Sequence, residues 1–230
     1  MKRFLTLLFL LAFSLNQVFA AEGLLISAKE TEKQEKNINE IGFRILNSNG
    51  IQTRAIFVLD THRIINAGTS PFSRTIVVYR GMYTRCESDD ELAAVLSHEI
   101  AHSVNSYKGI LNGKFSYIST SLTPRKYEYL ADKRGVDYMV NAGYNPVAMI
   151  IVLNKNCGQR STEWHSTHPL TSRRMMEVYE YIYKKYPEYL ANNKYRDNIY
   201  YQNFLLTSKN NREKFQQKVR TGSTKKIRYK

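Results

Sequence analysis

The sequence predicts an α+β domain, mainly helical, with a small β-sheet beside one long helix. Short β-branched and aromatic runs at residues 54–59 and 75–79 read as strands. Longer segments with apolar residues three and four apart read as amphipathic helices. The chain of 230 residues, 43% hydrophobic and 12% aromatic, has enough apolar material to bury a core, which excludes disorder as its overall state. Its two cysteines exclude a disulfide scaffold and a four-cysteine zinc site.

The elements follow in order. Residues 1–20 carry Lys2 and Arg3, an apolar run from Phe4 to Phe13, and a close at Val18-Phe19-Ala20, the pattern of a cleaved export signal. The apolar run is too short to span a bilayer, which takes roughly 20 residues, so the mature protein is expected to be soluble and periplasmic or secreted. In that compartment Cys86 and Cys157 can form a disulfide or remain two thiols, and the sequence leaves both open. Residues 27–46 suit a charged surface helix with Ile38, Ile41, Phe43 and Ile45 as its apolar positions, ended by Asn47-Ser48-Asn49-Gly50. A third strand is expected at 62–65. Ser88-Asp89-Asp90-Glu91 is a capping box, and Leu92, Leu96, Ile100 and Val104 share one face of the helix it opens, expected over 89–106. Further helices are expected over 123–141, stopped by Gly143, from Asn145-Pro146 onward, and over 169–185.

The chemistry lies in the capped helix, at His98-Glu99-Ile100-Ala101-His102. Residues four apart on a helix lie one turn apart, so both imidazoles can grip one Zn²⁺ ion per chain, with Glu99 beside it to take a proton from water. Catalytic zinc needs a third protein ligand and an open fourth position. Positions 105 and 108 are Asn105 and Lys108, not the glycine and histidine of a metzincin. A glutamate from a second helix is the alternative, and Glu128 is the candidate, with Asp132 one turn on and able to hold the far nitrogen of a ligand histidine. Spacing alone does not select this pair, because a helical Glu and Asp four apart are ordinarily a solvated face.

The surrounding sequence resembles the gluzincin peptidases of family M48. The resemblance runs through Glu91 to His102, Glu128 to Asp132 with Gly135, Ala142-Gly143-Tyr144-Asn145-Pro146, and Ser166-Thr167-His168-Pro169 with Arg174, and covers roughly residues 30–183. It implies a zincin-like metalloprotease fold in which His98, His102 and Glu128 bind zinc and Glu99 is the catalytic acid and base. It further implies that Asp132 and Arg174 support these ligands, that His168 acts near the metal, and that the strand Ile76, Val77, Val78 and Tyr79 lies along the cleft. An extended substrate is expected to pair with an open edge of that strand. The membrane spans of some branches are missing, and only 25 residues separate His102 from Glu128. The domain order expected is a leader at 1–20, a peptidase domain at 21–185, and a basic, Tyr-rich extension at 186–230.

The function expected is hydrolysis of peptide bonds in unfolded or misfolded exported proteins, as protein quality control. The alternative is a non-catalytic zinc-containing protein that captures such chains or binds the cell envelope. A structural zinc site is normally closed by four ligands, and only three are visible, with a general base beside them, which favours the enzyme. The net charge of +14 loses 2 with the leader and 8 with the nine bases and one acid of residues 209–230, leaving +4 for residues 21–208. Nucleic acid is therefore not an expected partner. The tail is expected to be a solvated helix and a frayed end, or a contact for an anionic membrane surface or cell-wall polymer.

Overall fold

The computed structural model describes residues 27–52, 54–70, 74–111, 124–157 and 171–229. The leader expected at 1–20 and His168 lie outside them. Helix α1 (27–48) buries Ile38, Ile41 and Ile45, as its periodicity requires, while Phe43 stays half exposed and meets Phe57 edge-on at 5.5 Å. Strands β1 (Ile56–Asp60), β2 (Ala67–Ser70) and β3 (Thr75–Tyr79) follow. Alternation along β1 and β3 sends Phe57, Leu59, Ile76 and Val78 into the core. Residues 62–65, expected as a strand, form part of the loop between β1 and β2.

The sheet order is β1-β3-β2. Strand β3 pairs in parallel with β1, Ile56 opposite Thr75, and antiparallel with β2, Ala67 opposite Val78. This overturns the expectation that Ile76, Val77, Val78 and Tyr79 present an open edge: both hydrogen-bonding sides of β3 are occupied. The edges belong to β1 and β2. Strand β2 is Ala-Gly-Thr-Ser, a sequence with little strand propensity of its own, and it is extended because β3 pairs with it.

Helix α2 (Arg80–Arg85) leads to α3 (Asp89–Leu111). The capping box forms in altered shape. Ser88 Oγ accepts from the Glu91 N–H at 3.3 Å, but Glu91 Oε2 accepts from the Glu87 N–H at 3.2 Å and also holds the buried Lys155 ammonium at 2.7 Å. Helices α4 (Pro124–Asn141), α5 (Val147–Cys157) and α6 (Thr171–Lys185) follow. Almost every residue of α5 is buried, because α3, α6 and a later helix all pack against it. No helix among the described residues is long and apolar enough to cross a membrane.

The chain continues through α7 (Glu188–Ala191), α8 (Ile199–Thr207) and α9 (Lys209–Arg220). Residues 209–230 do form a largely solvated helix and an irregular end, as their charge suggests, but the segment is docked on the fold rather than frayed. Phe204, Phe215 and Tyr229 are all buried, α8 packs on α5, and α9 packs on α6. The Tyr195 hydroxyl donates to Asp90 Oδ2 at 2.6 Å, and Tyr229 bonds Glu180. The aromatic residues supply the buried face and the basic residues the outer one.

Candidate metal centre

Helix α3 presents His98, Glu99 and His102, and α4 presents Glu128 and Asp132. The two helices can approach because Gly135 lies at their crossing: a Cβ there would stand 2.9 Å from the Met149 methyl and 3.4 Å from the main-chain nitrogen of His98. This close crossing places one donor atom from each of His98, His102 and Glu128 within 4.8 Å of one another.

The Nε2 atoms of the two histidines face each other at 3.0 Å. Glu128 Oε1 lies 3.1 Å from His102 Nε2, and Oε2 lies 3.5 Å from His98 Nε2. A tetrahedral zinc ion bonded at ~2.0–2.1 Å would hold its ligand atoms about 3.3 Å apart. The three observed separations bracket that value, and two ring nitrogens facing each other call for a proton or a metal ion between them. The donor set of two imidazoles and a carboxylate therefore fits zinc, with three protein donors among the described residues.

The far side of His98 is fixed as well. Its Nδ1 lies 3.0 Å from Asp132 Oδ1, which puts the proton on Nδ1 and turns the Nε2 lone pair toward the site. Asp132 in turn receives Nε and Nη2 of Arg174, each at 2.7 Å, and Arg174 Nη1 reaches Glu128 Oε2 at 2.8 Å. His98, Asp132 and Arg174 are each only 1% exposed. One buried guanidinium from α6 thus orients a metal-ligand candidate and the carboxylate behind the other. Burial raises the Asp132 carboxyl, but the Arg174 charge and hydrogen bonds, with His98, outweigh it and hold it down at about 2. Burial works against charge on His98, but Asp132 and Glu128 outweigh it and bring its pKa to about 9 without a metal. A cation binding there displaces that proton.

Glu99 is also buried, one residue on from His98. Its Oε2 and its backbone oxygen each lie 3.0 Å from the hydroxyl of Thr69, on β2. Thr69 escaped the sequence reading, because no signal in Ala67-Gly68-Thr69-Ser70 marks a strand or a site. The structure thus gathers six of the residues singled out from sequence: His98, Glu99, His102, Glu128, Asp132 and Arg174. His168 lies outside the described residues. Cys86 carries a free thiol, which burial pushes up to about 12, and the Cys157 side chain is outside the described residues.

A comparison with curated proteins finds no relative. The model of Peptidase family M48 matches residues 32–110 and 107–182. These segments contain both helices of the candidate centre and the arginine behind it, and the chain belongs to peptidase family M48, whose members are zinc metallopeptidases.

Proposed function

We propose that the protein is a zinc-dependent metalloendopeptidase that cuts peptide bonds in unfolded or misfolded exported proteins. The observation that carries this reading is the buried Glu99 carboxylate beside the cluster of three donors, His98, His102 and Glu128. His98, His102 and Glu128 would hold the ion, which when bound supplies Lewis acidity to the scissile carbonyl and to water. Glu99 takes a proton from the attacking water and returns it to the departing amine. Thr69 steadies Glu99 through Oε2. Asp132 and Arg174 keep His98 and Glu128 in place without touching substrate.

The correction to the sheet moves the expected substrate track. Thr69 belongs to β2, an edge strand, and β2 carries no strand on its other side among the described residues. An extended peptide paired there would bring its backbone past Glu99, and main-chain pairing selects extended, unfolded segments over folded ones. Export rests on the leader pattern of residues 1–20.

The test compares wild type with Glu99→Gln. The variant is expected to retain one zinc per chain and to lose cleavage of a casein-like substrate by at least a hundredfold. Retained cleavage would sink the assignment of Glu99. Trimming of a compact folded protein as fast as casein would sink the unfolded-substrate reading.

A further inference from the structure

We infer that the cavity between the β1–β2 loop and α2 binds a carboxylate of the peptide substrate, so that the enzyme favours segments with an acidic group about four residues from the bond cut. This rests on the peptidase reading above.

The cavity, of about 510 Å³, is lined by Arg63, Ile65, Arg80, Gly81, Thr84 and Arg85. Three arginines line it, and no Asp or Glu does. Neighbouring acids are engaged elsewhere: Asp60 with His62 at 2.5 Å, Glu87 and Glu91 with Lys155 at 2.9 and 2.7 Å, and Glu30 with Gln34 at 3.1 Å. The arginine bonds that anchor the lining go to neutral oxygens. Arg80 Nη2 donates to Thr31 Oγ1 at 2.7 Å, and Arg85 Nη2 to the Lys155 carbonyl at 2.5 Å. The Thr31 bond positions the Arg80 guanidinium without neutralising it. Arg80 Nε is enclosed and has no hydrogen-bond partner. Arg63 is exposed and forms no ion pair among the described residues.

An enclosed N–H without a partner is costly, and like charges gathered in a concave site repel. An oxyanion in the cavity offsets the repulsion, and guanidinium matches a carboxylate as a planar fork. The fold builds the cavity with care. The loop crosses directly over α2, because Gly81 has no side chain: a Cβ there would lie 2.5 Å from the Ile64 carbonyl oxygen and 2.6 Å from that of Arg63.

Its position identifies the source of the anion. Thr69, which touches Glu99, is opposite Ile76 in the sheet, and Arg80 lies four residues beyond Ile76. At ~3.3 Å per residue this is about 13 Å, or four residues of an extended peptide. Strand β2 begins at that same end of the sheet and runs toward Thr69. A peptide lying along its open edge is therefore in contact with Glu99 at one point and level with the arginines about four residues away.

The experiment uses the full zinc-loaded chain carrying Glu99→Gln and a set of fluorescent twelve-residue peptides. These are a neutral parent, the parent with one Glu placed at each position in turn, and the parent ending in a free carboxylate or an amide. Binding is read by anisotropy. A single Glu position is expected to tighten binding about tenfold, and Arg63→Gln or Arg80→Gln is expected to abolish that difference. If the free terminus alone gives the gain, the carboxylate is the substrate's C-terminus; if an internal Glu gives it, the carboxylate is a side chain. Equal binding of all peptides overturns the proposal, as does a Glu preference that survives in both arginine variants. Arg63 is exposed, so its variant keeps the test valid if Arg80→Gln unfolds. Cleavage of the neutral parent by wild type tests the peptidase reading separately, since the binding comparison needs no turnover.

Discussion

Arg174 and Asp132 meet in a fork, Nε to Oδ2 and Nη2 to Oδ1, with both bonds 2.7 Å long and both residues only 1% exposed. The third arm of the same guanidinium holds Glu128, so two buried carboxylates depend on one cation. Removing it leaves Asp132 buried without a cation and Glu128 with the metal alone, which is far costlier than losing a surface ion pair. Arg174→Leu is therefore expected to lower stability by about 3–5 kcal/mol in urea denaturation of the zinc-loaded protein. Arg174→Lys, which keeps the charge and loses the fork, should fall between the two. A loss in Arg174→Leu below about 1 kcal/mol, the scale of an exposed pair, would show that the fork does not carry the site.

Thr69 makes a different kind of prediction, because it touches Glu99 and none of the three ligand candidates. Thr69→Val preserves shape and removes the hydroxyl that lies 3.0 Å from Glu99 Oε2. Losing one hydrogen bond to a charged group is worth about tenfold in rate, so kcat should fall by roughly that factor while zinc content holds. Thr69→Ser should recover most of it. A loss of zinc in Thr69→Val would mean that the hydroxyl supports the metal centre instead.

The contrast between these two residues shows what a sequence can reveal. His98, Glu99 and His102 are legible because helical spacing alone places them, and Leu92, Leu96 and Ile100 declare the buried face of the same helix. Glu128, Asp132 and Arg174 are legible only through resemblance, since helix crossing and not spacing brings them to α3. Thr69 is illegible: its strand exists only because β3 pairs with it, and strand order is a long-range property. The same ignorance of strand order made β3 look like an edge. The tail was legible as a solvated helix but not as a docked one. Its nine bases dominate the composition of residues 209–230, whereas its placement is decided by a few aromatic side chains, Phe215 and Tyr229 among them.

Alkaline pH should weaken the fold. Burial pushes the Cys86 thiol from 9.0 up to about 12 and, with the neighbouring Tyr179, the Tyr201 phenol from 10.0 to about 12. Above pH 9 the unfolded chain releases protons that the folded chain retains, so stability falls as pH rises from about 9 toward 12 and is unaffected by these groups below that. Thermal melting at pH 8.0, 9.5 and 10.5 should show the decline begin between the first two values. The same burial keeps Cys86 a thiol at pH 8, so iodoacetamide should label it slowly in the native protein and quickly in urea. Rapid native labelling at Cys86, read by peptide mapping, would contradict the burial. Absence of labelling even in urea would show that Cys86 is bridged to Cys157.

The C-terminal helices are predicted to be indispensable to folding, although the residues of the candidate centre all lie before them. Phe204 is fully buried between α5 and α6 and contacts Tyr179 and Tyr201 with ring centroids 5.6 and 6.0 Å apart. Phe215 meets Tyr183 edge-on at 5.1 Å. Cutting the chain after Lys185 would expose the face of α5 that α8 covers and strip Asp90 of its Tyr195 hydroxyl. The truncated protein should be insoluble or lack a cooperative melting transition. Phe204→Ala in the full chain should cost about 3–5 kcal/mol, the usual toll of emptying a buried aromatic site. Should the truncated protein instead melt cooperatively within a few degrees of the full chain, residues 186–230 would be an accessory layer and the peptidase domain would fold without them.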